Sequence, residues 1–180
     1  MRIATIVLVA YFACTVVAAI WRLLPFSIVR DAVPDLGAVT AAYLGLTARR
    51  VVAPSVGGAV VLGYLVDIIS GSVPGLMALV LSGTAMIARQ IQQRILVRGA
   101  VMTVTFSAFV AIISLLLSLI VRVFVGASHA GVIVELKHGL GVIISTALIG
   151  PLVWRLYRRV DAAFARTHRE RDAALEGLAP

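Results

Sequence analysis

The sequence predicts an all-α, polytopic membrane protein of six transmembrane helices, and three observations carry that prediction. Six apolar runs are separated by short segments holding proline, glycine or arginine. Hydrophobic residues make up 61% of the chain and charged residues 13%, where soluble domains carry about 25% charged. The cations cluster at alternate run ends, the pattern of a chain oriented in a bilayer. At about 20 residues per span, plus loops, 180 residues hold about six spans and no sizeable soluble domain. We expect one integral membrane domain over 1–180, with spans at about 3–21, 36–48, 51–70, 75–88, 99–124 and 139–156 and a basic cytoplasmic tail over 157–180.

The first run lies between Arg2 and Arg22. It is longer than the apolar stretch of a signal peptide, and Tyr11-Phe12-Ala13 before Cys14 is a poor lipoprotein cleavage site. An uncleaved helix follows. Pro25 and Pro34 break the connection after it. Asp35 then stands where an N-cap belongs, ahead of Leu36–Thr47. Those 12 residues make about 18 Å of helix, short of the ~30 Å hydrocarbon layer. The run ends at Arg49-Arg50; we read a short span ending in cytosol, since a re-entrant hairpin would leave both arginines at depth.

The third run closes on Gly63-Tyr-Leu-Val-Asp67-Ile-Ile-Ser70-Gly71-Ser72. Gly63, Asp67 and Gly71 recur every four residues, a stripe of small residue, carboxylate and small residue suited to a close neighbouring helix. Gly57 and Gly58 thin the same helix. An Asp near the end of an apolar helix is costly in lipid, so Asp67 meets donors inside the protein. It either staples a helix end or shapes a site, and the two readings are compatible. The fourth span carries Ser82, Gly83 and Thr84 and continues into Arg89–Arg98. Gln90, Arg94 and Arg98 share one helical face there, placing arginines near lipid phosphate or leaving a solvated turn. The fifth run is the most uniformly apolar. A polar connection over 126–138 leads to the sixth, where Gly141 and Ser145 form a packing pair and Gly150-Pro151 predicts a bend. Trp21 and Trp154 sit at span ends as interface anchors.

With six spans, Arg22, Arg30, Arg122 and Lys137 fall on one side and the other twelve of 16 cations on the opposite side. Both termini are therefore expected in the cytoplasm. Asp35 and Asp67 then start and end a hairpin on the outer side, and should lie near one another. The net charge of +8 follows from orientation and implies no nucleic acid. No HExxH, P-loop, GxSxG or paired-cysteine spacing occurs, and His129 and His138 lack further ligands. We expect no enzyme, no cofactor and no metal. Cys14, alone, forms no intrachain disulfide.

Pro34-Asp35-Leu36, Tyr43-Leu44, the Gly63–Ser72 stretch and the following Gly75-Leu-Met-Ala-Leu resemble the MreD family of rod shape-determining proteins. The resemblance is dense over residues 33–80 and compositional beyond. It implies a non-enzymatic scaffold of the bacterial elongation machinery in the inner membrane, helping couple MreB filaments to peptidoglycan synthesis. Implied partners are the bitopic protein MreC, MreB, a RodA-type polymerase with its penicillin-binding partner, and membrane lipids. It also implies a fold resembling the substrate-binding subunits of energy-coupling-factor transporters. On this reading Asp35, Asp67, Ser70, Gly71 and Gly63 form the partner-binding or structural site. Arg49, Arg50, Arg89, Arg94, Arg98, Arg155, Arg158 and Arg159 contact lipid or a partner on the cytoplasmic side. The alternative is a small-molecule-binding transporter subunit with Asp35 and Asp67 as ligand groups. Capture pockets add aromatic and polar groups to an enclosed volume, and this chain offers few.

Overall fold

The computed structural model describes residues 2–23, 32–47, 53–71, 73–92, 99–126 and 132–176. They form six helices: α1 (Arg2–Arg22), α2 (Leu36–Thr47), α3 (Ala53–Ser70), α4 (Leu76–Gln92), α5 (Ala100–Val125) and α6 (Val132–Glu176). The stretches Arg2–Trp21, Ala53–Ser70, Val101–Phe124 and His138–Arg166 are long and apolar enough to cross a membrane. The apolar parts of α2 and α4 are shorter.

α2 is the axis of the bundle. Every residue from Leu36 to Leu46 is buried, and α2 touches all five other helices. A helix enclosed on all sides has no polar face to show, which is why its sequence is apolar all round. Its length also ceases to be a problem, because protein rather than lipid surrounds it and its polar ends meet side chains of the bundle.

The outside is apolar. Leu8, Phe12, Ile68, Phe124 and Leu148 are each more than 60% exposed, whereas Thr40, Asp67, Thr84, Ser107, Ser114 and Thr146 are buried. Apolar side chains outward with polar ones hydrogen-bonded inside is the distribution expected where lipid is the solvent.

Small residues set the closest approaches. A Cβ on Gly63 would stand 2.5 Å from Ala78 Cα and from the Met77 carbonyl oxygen. One on Gly45 would run into the Ala85 carbonyl, and one on Gly150 into the Ser107 side chain. Gly58 meets Ile3 of α1. Gly57 does not join them: the space beside it is open, because it lies on the exposed side of α3. One boundary also differs from expectation: helix begins at Val132, inside the stretch expected as a polar connection. α6 continues through Pro151 to Glu176 as one element.

Candidate functional site

The two carboxylates singled out in the sequence each organise a helix start. Asp35 caps α2: its Oδ1 accepts the Ala38 N–H at 2.8 Å. Its Oδ2 accepts the Ser114 hydroxyl of α5 at 2.7 Å, and its backbone N–H donates to Thr146 Oγ1 of α6 at 2.9 Å. One residue thus ties three helices at one end of the bundle.

Asp67 sits in α3 but caps α4. It is 2% exposed, and its carboxylate accepts the Gly75 N–H at 2.9 Å and the Met77 N–H at 3.1 Å. The first turn of α4 holds no acidic residue of its own, so the orphan N–H groups and the positive end of the helix dipole are met from the neighbouring helix. The approach of Gly63 to Ala78 brings α3 and α4 close enough for this. The structure engages each carboxylate in a helix cap, Asp35 in that of α2 and Asp67 in that of α4.

The remaining members of the expected site divide. Gly63 is a packing residue. Gly71 is not, contrary to the stripe expected from spacing: nothing lies within 4 Å of its Cβ position, and its φ of +62° ends α3 in the left-handed region. Ser70 is exposed and returns its hydroxyl to the Val66 carbonyl at 2.8 Å, a bond internal to its own helix. A groove of 340 Å³ beside the Gly75 turn is lined by Val60, Val73, Pro74, Leu76, Leu79 and Val121 among others. Neither Asp35 nor Asp67 lines it.

Of the arginines, Arg155, Arg158 and Arg159 are exposed on α6. Arg89, in the last turn of α4, is half-buried, with Nη1 enclosed and without a hydrogen-bond partner among the described residues. Arg49, Arg50, Arg94 and Arg98 lie outside the described residues.

A second polar cluster, which spacing alone did not single out, occupies the opposite end of α2. Arg2 forks onto Asp161, Nε to Oδ1 and Nη2 to Oδ2, both at 2.6 Å. The Tyr43 hydroxyl donates to Asp161 Oδ2 at 2.6 Å. The hydroxyls of Thr40 and Tyr157 share a bond of 2.6 Å. Above them Tyr43 stands edge-on to Trp154, with ring centroids 5.0 Å apart, and Phe106 is edge-on to the same indole at 5.8 Å. Trp154 is therefore a buried core residue at 6% exposure rather than an interface anchor. Trp154, Tyr157 and Asp161 recur at spacings of three and four, which puts them on one helical face. That face was the available signal, obscured by the arginines around it. Among the described residues, no three His, Cys, Asp or Glu side chains group to hold a metal.

The family model described as rod shape-determining protein MreD matches residues 1–160. The chain belongs to the MreD family. No curated protein and no solved structure matches it. The match takes in α1 to α5 and α6 as far as residue 160, and so both carboxylate caps. With its long apolar helices, this MreD-family chain is a multi-pass membrane protein associated with rod shape.

Proposed function

We propose that this chain is a non-enzymatic scaffold of the cell-elongation complex in the bacterial inner membrane. It binds an MreC-like bitopic protein and helps couple MreB filaments to the RodA-type polymerase and its penicillin-binding partner. Membership of the MreD family carries this reading. The orientation belongs to the same proposal: six crossings with both ends in the cytoplasm. The contact of Arg2, at the start of α1, with Asp161, beyond the apolar part of α6, supports both ends lying on one side. The one-sided arginines support that side being the cytoplasm.

In this reading Asp35 and Asp67 shape the outer end rather than touch the partner, since each carboxylate is engaged in a helix cap. Ser70 and Gly71, exposed at the end of α3, are the parts of the Asp67 turn that a transmembrane or juxtamembrane segment of MreC meets. Asp67→Ala should leave membrane insertion intact and reduce recovery of the MreC-like partner from membranes matched for the amount of this chain. Equal recovery would remove Asp67 from the docking end.

A further inference from the structure

We propose that the inner end of α6 is a binding site for anionic lipid, with Arg155, Arg158 and Arg159 holding headgroup phosphates. Along α6, Leu140, Ile144, Leu148 and Leu152 are all more than half exposed. The same side of the helix then continues as exposed Arg155, Arg158, Arg159 and Arg166. At 3.6 residues per turn these four arginines fall within an arc of about 100°. The opposite face is packed: Val153, Trp154 and Tyr157 are buried, and Val160, Asp161 and Phe164 are half-buried. One continuous outer face therefore passes from apolar to cationic, which matches acyl chain followed by phosphate.

The Arg2–Asp161 pair gives the depth of that change. Arg2 immediately precedes the apolar run of α1, so Asp161, bound to it at 2.6 Å, marks the edge of the hydrocarbon. At 1.5 Å per residue Arg158 and Arg159 stand about 3–4.5 Å, and Arg155 about 9 Å, to the membrane side of Asp161. Arg166 stands about 7.5 Å beyond it, at the outer limit of a headgroup layer about 5–8 Å thick. A guanidinium exposed below the boundary is stable only if it reaches up to phosphate or draws phosphate down. Arg155, Arg158 and Arg159 have no ion-pair partner among the described residues, and Asp161 is already engaged by Arg2 and Tyr43. Their donors are free for a phosphate, which guanidinium grips by two parallel bonds. A soluble acidic protein would meet Arg166 readily but would have to enter the bilayer to reach Arg155.

The test uses the full chain purified in detergent and offered phosphatidylglycerol and phosphatidylcholine of identical acyl chains, with retained lipid counted by native mass spectrometry. The chain should retain phosphatidylglycerol in preference by at least about five-fold, the effect expected of one arginine at an anionic surface. The triple variant R155Q/R158Q/R159Q should lose the preference, and the triple Arg→Lys variant should keep most of it. Should the triple variant fail to fold, R158Q and R159Q singly should each lower the preference. Equal retention of the two lipids by the unaltered chain, or an undiminished preference in the folded glutamine variant, would overturn the site. So would loss of binding to polyglutamate in that variant with the lipid preference intact, which would assign the face to an acidic protein. None of these outcomes bears on whether the chain acts in cell elongation.

Discussion

At the residue scale, three glycines in and just after α3 illustrate how one residue type serves different physics. Gly63 is required because α4 backbone occupies the place of a side chain. Gly71 is required for a positive φ, and Gly57 for neither. Alanine favours helix over glycine by up to about 1 kcal/mol, so Gly57→Ala should leave the melting temperature in detergent unchanged or slightly raised. Gly71→Ala should cost about 1 kcal/mol, the penalty of left-handed backbone for a residue with a Cβ. Gly63→Ala should be the most damaging, since Ala78 backbone cannot yield without moving α4. A thermal scan of the three variants checks the order; Gly63→Ala melting with Gly57→Ala would mean that α3 and α4 do not touch as described. Asp67 makes a parallel case. Losing a capping side chain costs about 0.5–2 kcal/mol, so Asp67→Ala should lower the melting temperature by several degrees. Asp67→Asn, with one acceptor oxygen left, should fall between.

At the element scale, the two ends of α2 differ in how well the sequence announced them. The Asp35 end was legible: Asp35 follows Pro34 and precedes an apolar run, and a cap there needs only local chain geometry. That Ser114 and Thr146 would complete it was not legible, because hydroxyls in apolar helices ordinarily bond back to their own turn, as Thr84 and Ser107 do here. Asp67 was legible as a staple, but not as the cap of the next helix, which depends on the approach of Gly63 to Ala78 across a tight turn. The end beside Asp161 was hidden for a different reason. Arg2 and Asp161 are 159 residues apart, and each sits in a setting where a solvated charge is the ordinary expectation. Their pairing implies that α1 and α6 stabilise one another. A double-mutant cycle of Arg2→Ala and Asp161→Ala should show coupling of about 1 kcal/mol, the upper range for a partly exposed pair. Additive effects on thermal stability would mean that the pair contributes nothing.

At the scale of the whole molecule, the chain reads as a bundle built around an enclosed short helix, with polar caps at one end and an Arg–Asp–Tyr cluster at the other. The engaged carboxylates hold helices in place, and the outer surface of the helices carries many exposed apolar side chains. Such a molecule suits a part that positions others, in keeping with membership of the MreD family. The most direct test of the scaffold role is depletion of this protein in its rod-shaped host, with cell width followed by microscopy. Cells should widen and round before growth stops, and the unaltered chain should restore rods. Rods of unchanged width, with a growth defect cured by an added nutrient, would contradict it and favour a transporter subunit.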